Sequence, residues 1–153
     1  MNLHTMLLAR EAAGRPVTVG VIGAGKFGTM FLAQARATRG LHVVAVADLD
    51  VGRARAQLRS AGWDEADYAA ASLGDAFRGR RTHLTADADT LIAFPDIDVI
   101  VEATGVPAAG IHHALGAISL PIARAISCAR PNGAMRRLPQ PRSRVPSRRV
   151  RPM

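Results

Sequence analysis

Apolar residues fall in two patterns along the first 119 positions: short unbroken runs that suit strands, and spaced positions that suit helices. Val17–Ile22, VTVGVI, is a near-continuous apolar run and reads as a strand covered on both faces. Lys26–Arg39 carries Phe27, Met30, Phe31 and Ala35 along one side and reads as a helix closed by Gly40. Leu41–Ala47, LHVVAVA, is a second strand and runs into Asp48. Residues 51–61 alternate Arg with Ala and Leu58 at helical spacing, and Gly62 ends that helix. Thr82–Thr85 predicts a short third strand, Asp87–Phe94 a helix capped by its acid, and Pro95 a turn. Ile97–Ala103, IDVIVEA, is the fourth strand, and the loop TGVP leads into a helix from Ala108 to about Ile118. Ahead of these, Leu3–Ala13 reads as a short amphipathic surface helix broken by Gly14, Arg15 and Pro16. Trp63–Ala71 shows no clear period; Asp64 is placed to cap a turn there, with Trp63 and Tyr68 packing over the sheet edge.

Strands alternating with helices predict right-handed crossovers and a parallel sheet with helices on both faces, an α/β fold of the Rossmann type. About four strands in the order 3-2-1-4 is the simplest arrangement, and it opens a crevice between the first and fourth strands. After Ser119 the pattern stops. Residues 120–153 hold six of the nine prolines, nine arginines, no acid and no aromatic residue, so they are expected to stay disordered. The chain therefore divides into a lead-in at 1–16, one folded domain at 17–119, and a basic tail at 120–153.

Composition refines this picture without changing it. The content is 48% hydrophobic and 21% charged, globular rather than disordered, and with six aromatic residues the core has to be built from aliphatic side chains. The net charge of +8 is unevenly placed. Residues 1–119 hold eleven basic side chains against twelve acidic ones, and the basicity belongs to the nine tail arginines. Nucleic-acid binding would therefore rest on the tail alone, which lacks aromatic side chains for base stacking. Cys128 is the single cysteine, so no internal disulfide forms and a reducing cytoplasm is the expected location. Arg10 and Glu11 interrupt the one apolar run near the N-terminus, where a signal peptide would continue it, and no run reaches the ~18 residues of a membrane span.

The chemistry concentrates at the end of the first strand, where Gly23, Gly25 and Gly28 form G-x-G-x-x-G directly before a helix. The first glycine permits a tight turn, the second lets the backbone approach a pyrophosphate, and the third lets helix and strand pack closely. The free N–H groups at the helix start then favour phosphates. Asp48 follows Gly28 by twenty residues, at the tip of the second strand, where a carboxylate accepts hydrogen bonds from the adenosine ribose hydroxyls and repels a 2′-phosphate. These requirements together predict a dinucleotide site, with NAD favoured. Arg53 and Arg55 lie just beyond Asp48 and keep NADP open as a cofactor, although a solvated helix face is their simpler role. Asp48 itself has an alternative as a turn-forming acid in the tripeptide DLD.

Lys26 and Phe27, inside the glycine motif, join the predicted cofactor contacts. Thr104, Gly105, Val106 and Pro107 leave the fourth strand beside the first and face the nicotinamide end of the crevice; an ordinary strand-to-helix turn explains them equally well. Glu102 is an acid in an apolar strand, costly unless hydrogen-bonded, and is placed to support that loop. His112 and His113 stand on the last helix without further ligands at metal spacing, so an exposed face is expected and no metal site. No set of catalytic residues is complete.

VTVGVIGAGKFG, LHVVAVADLD, DIDVIVEATGVPAAG and HHALGAI together resemble the NAD(P)-binding part of the homoserine-dehydrogenase-like oxidoreductases. The resemblance is nearest to the bacterial branch that carries a C-terminal SAF domain and includes the DXR-like reductoisomerases. It covers residues 1–118 and implies an NAD(P)-dependent oxidoreductase acting on a small molecule. The family pattern continues with a fifth strand of the GKHVV type and a substrate domain bearing the catalytic residues. Here the chain reads SLPIARAISCARPNG, so no catalytic residue carries over. A truncated, inactive chain is expected, its tail either a genuine basic extension or an out-of-frame translation of a GC-rich gene; nine arginines without a lysine favour the second. A nucleotide-sensing module with a nucleic-acid-binding tail is the alternative. Without a fifth strand, IDVIVEA is expected to form an exposed apolar edge prone to self-association.

Overall fold

Strand β1, Val17–Ile22, is the centre of the molecule, and all but its first residue are buried. The computed structural model describes residues 2–119 and the backbone of 125–128. β1 pairs in parallel with β2, Leu41–Ala47, on one side and with β4, Val99–Glu102, on the other. β2 carries β3, His83–Thr85, on its far side. The order 3-2-1-4 is therefore as the alternation of strands and helices predicts.

A fifth strand extends it. β5, Ala125–Cys128, pairs in parallel with β4 in the register Val99 to Ala125 through Glu102 to Cys128, giving the order β3-β2-β1-β4-β5. This corrects two expectations: the segment after Ser119 contributes a strand, and β4 is an interior strand instead of an exposed edge. Backbone pairing depends on the ladder offered by β4 more than on side-chain periodicity, so the short apolar AIS stretch suffices. The expected disorder of the remaining tail lies outside the described residues.

The sheet alternates its side chains between two helical layers. Val19, Val21, Val43, Val46 and Val101 meet Leu32, Ala35, Ala54, Leu58 and Tyr68 from helices α2, Lys26–Ala37, and α3, Val51–Ser60, and the turn after them. Ile22, Val44, Ala45, Ala47 and Ile100 meet Leu73, Ala76, Leu91, Ile92 and Ala117 from α4, Leu73–Gly79, α5, Ala88–Ala93, and α6, Pro107–Ile118. The N-terminal helix α1, Leu3–Ala12, buries no residue and is tied down by Arg10, whose guanidinium reaches Asp98 at 3.1 Å.

Several local expectations shift. α2 buries Gly28, Leu32 and Ala35, whereas Phe27 and Met30 are exposed; the sheet-facing stripe is rotated from the one that the large apolar residues mark. β4 starts two residues later than predicted because the Asp98 carboxylate, not a ladder carbonyl, accepts the Thr18 N–H at 3.0 Å. α4 has no counterpart in the hydrophobic pattern. Ser72 caps it by accepting the Asp75 N–H at 3.2 Å, and Arg80 closes it in the left-handed conformation at φ 51°. Tyr68 is buried, and the Trp63 indole N–H donates to the Leu32 carbonyl at 3.2 Å, so both pack between α2, α3 and the sheet. Among the described residues, no helix is long and apolar enough to cross a membrane.

Candidate dinucleotide site at the glycine turn

The turn after β1 is built by backbone geometry. Gly23 sits at φ 95°, and a Cβ there would lie 2.7 Å from the Thr104 nitrogen, so a side chain is excluded both by conformation and by the end of β4. A Cβ on Gly28 would run into the Gly23 carbonyl oxygen, which is how α2 comes down onto the turn. Gly25 differs: it has ordinary φ and ψ of −73° and −166°, and a Cβ there would meet nothing within 4 Å. Its missing side chain leaves open space in front of the turn, the cradle that a pyrophosphate requires.

Gly25 is also the N-cap of α2, and no side chain satisfies the helix start. The first intrahelical bond runs from the Thr29 N–H to the Gly25 carbonyl at 2.9 Å, so the N–H groups of Lys26, Phe27 and Gly28 precede the ladder. With the helix dipole behind them they favour an anion. Lys26 and Phe27 are exposed at this mouth.

Asp48 is placed otherwise than a free ribose acceptor would be. It is 6% exposed, and its Oδ2 accepts the Ala24 N–H of the glycine turn at 2.7 Å. Oδ1 accepts the Asp50 N–H at 2.9 Å, and the Arg53 Nη2 group spans both oxygens at 2.8 and 3.0 Å. Four donor contacts fill the acceptor sites of a carboxylate. Burial pushes this carboxyl up, but the Asp50 and Ala24 N–H groups and Arg53 outweigh it and hold Asp48 below the usual aspartate value. A sugar hydroxyl reaches Asp48 only by taking the place of Arg53, whose side chain is 55% exposed and so free to move. Arg55 points elsewhere, to Glu65 at 3.4 Å and over the Tyr68 ring at 5.7 Å.

On the other side of the crevice, β4 ends in Glu102, which is buried with its carboxylate turned onto the following loop. Its Oε1 accepts the Thr104 N–H at 3.1 Å and the Thr104 hydroxyl. Thr104 is half-buried, Gly105 has φ 70°, and Gly105, Val106 and Pro107 are exposed. His113 corrects the expected exposed histidine pair: its side chain is 11% exposed and its Nδ1 lies 3.8 Å from Glu102 Oε1, whereas His112 is exposed beside Asp89 at 3.0 Å. The HH dipeptide spans one rung of α6, which turns one ring inward and one outward. Gly23, Gly25, Lys26, Phe27 and Gly28 thus come together at the mouth, Asp48 beneath it and Thr104, Gly105 and Pro107 across it. Sequence reasoning left out Ala24, whose N–H binds Asp48, and the inward role of His113.

The same fold occurs in the crystal structure of myo-inositol dehydrogenase from Lactobacillus casei in complex with NAD(H) and myo-inositol, with a TM-score of 0.55 and 24% identity over 74% of this chain. The chain spans 28% of the length of that protein. An NAD binding oxidoreductase from Klebsiella pneumoniae matches with a TM-score of 0.49 and 19% identity, covering 74% of this chain and 27% of the other. No family model and no curated protein matches the sequence. The likeness to the first of these establishes the fold, an α/β Rossmann-type parallel sheet with helices on both faces.

Proposed function

We propose that residues 17–119 form the NAD(P)-binding domain of an oxidoreductase of the homoserine-dehydrogenase-like kind, with NAD as the preferred cofactor. The observation that carries this reading is the open cradle at Gly25, bounded by uncapped N–H groups of α2 and set directly above Asp48. When bound, the nicotinamide supplies or accepts a hydride. The chain's own contribution is to hold the phosphates at α2, the adenosine ribose near Asp48 and the nicotinamide end near the loop 104–107. The acid–base groups and the contacts to a small-molecule substrate are assigned to residues outside 17–119, in a substrate domain of the type that the family resemblance implies. Cytoplasmic NAD(H) is the expected pool, consistent with the absence of any disulfide requirement in a chain with one cysteine.

Calorimetric titration with NADH tests the reading at one atom. Gly25 has a backbone conformation open to any residue and free space for a side chain, so Gly25→Val leaves the fold intact and fills the cradle. The wild-type chain is expected to bind NADH, and the folded variant to bind about tenfold or more weakly, losing only the ~1 kcal/mol of stability that a poorer N-cap costs. Equal affinity in the two proteins would place the ligand elsewhere.

A further inference from the structure

Glu102 is the feature of the crevice that phosphate or ribose binding leaves without a purpose. It is a carboxylate, 3% exposed, at the end of an apolar strand, a placement that costs free energy unless its lone pairs are used. They are spent on one residue. The Thr104 N–H and the Thr104 hydroxyl both donate to Oε1, closing a tight ring at the start of the loop. Behind the carboxylate, α6 is shaped to receive it: a Cβ on Gly110 would lie 3.3 Å from Glu102 Oε2, and His113 Nδ1 stands 3.8 Å from Oε1. The Gly110 backbone and the His113 ring thus bound the acid on its inner side.

The chemical consequence falls on Thr104. A free threonine hydroxyl rotates to donate or accept as its partner requires. Glu102 Oε1 accepts from the Thr104 hydroxyl, so that O–H is committed to it and turned away from the crevice. The Val106 N–H, at 3.3 Å, uses one of the two acceptor sites on the oxygen. What Thr104 offers a ligand is therefore a single lone pair, an acceptor with no donor capacity. Thr104 also lies against the glycine turn, its nitrogen 2.7 Å from where a Gly23 side chain would begin.

We propose that Glu102 is a positioning residue that fixes the Thr104 hydroxyl as a pure acceptor, making Thr104 the group that selects a ligand with an N–H donor, namely the carboxamide of a nicotinamide dinucleotide over its carboxylate analogue. This rests on the dinucleotide reading of the glycine turn and adds a specificity at its other end. A carboxylate in place of the carboxamide brings only lone pairs and a charge to an oxygen that has no proton to give.

The full chain is titrated with ADP-ribose, NAD+ and nicotinic acid adenine dinucleotide, in wild-type, Thr104→Val, Thr104→Ser and Glu102→Leu forms. The wild type is expected to prefer NAD+ over the acid analogue by about tenfold, the effect of one hydrogen bond in a desolvated site. Thr104→Val and Glu102→Leu reduce that preference to about twofold or less, Thr104→Ser retains it, and ADP-ribose affinity stays constant throughout. Leucine offers no acceptor, so it frees the hydroxyl to turn outward, whereas glutamine would keep an amide oxygen where both Thr104 donors point. Thr104→Val keeps the side-chain shape and reports even if the buried Glu102→Leu variant unfolds. Equal wild-type affinity for NAD+ and the acid analogue, with ADP-ribose still bound, overturns the specificity and leaves the dinucleotide site standing. A parallel loss of ADP-ribose binding in the variants overturns it as well, in favour of a purely structural role. Failure of the wild type to bind any of the three overturns both.

Discussion

Asp48 shows how one side chain serves both the fold and the site. Its carboxylate ties the tip of β2 to the glycine turn through Ala24 and to the start of α3 through Asp50, and it collects Arg53 on its open side. Its carboxyl is held low in the folded state, so the folded chain binds the proton less readily than the unfolded one. The stability this contributes is present above the usual value of 3.8 and is lost as pH falls through the folded value. Asp48→Asn is expected to lower stability by about 1–3 kcal/mol at neutral pH, the cost of weakened buried acceptors. In urea unfolding the difference from wild type should shrink below pH 3.8; a constant difference would mean that the ionised carboxylate is not what matters. Arg53 belongs to the same scale. It covers Asp48 and is, among the described residues, the one cation bonded to it, so it is placed to meet a 2′-phosphate that the acid alone would repel. Arg53→Met should weaken NADPH binding about tenfold and leave NADH within about twofold. Comparable losses for both would assign Arg53 to the turn instead of to cofactor choice.

The elements divide into those the sequence announces and those it does not, and the difference is physical. β1 and β2 are buried on both faces, so their apolar runs carry their boundaries, and Gly28 and Gly23 are required by contacts with Gly23 five residues back and with Thr104 across one strand. Their placement is legible for that reason. α4 is not legible by hydrophobic period, because a seven-residue helix buries only Leu73 and Ala76; its mark is the Ser72-x-x-Asp75 pairing of a helix start, which a search for capping residues would find. β5 is not legible either, since pairing with β4 is satisfied by backbone and needs no alternation of its own. The inward turn of His113 depends on the rotation of α6 over β4, a long-range fact. β5 also has a mechanical consequence. A chain ending at Ser119 would leave the β4 ladder, with Ile100 and Val101, open to another copy. That shortened form is expected to self-associate in light scattering and to melt lower than the full chain, whereas matching size and melting temperature would show that β5 contributes little to the sheet.

At the scale of the whole molecule, the fold brings three sequence segments to one crevice: the glycine turn after β1, the acid at the end of β2, and the loop after β4. They meet because β1 lies between β2 and β4, so that the carboxyl ends of all three strands open on the same side. The chain spans 28% of the length of the inositol dehydrogenase whose fold it shares. A dinucleotide is expected to lie along the whole length of this crevice. Amide hydrogen exchange of the full chain, with and without saturating NADH, reads both ends at once. Slowed exchange is predicted in two separate stretches, Gly23–Gly28 and Thr104–Val106, with α1 and α4 unchanged. Protection that is absent from both stretches, or that falls on other elements, would contradict it.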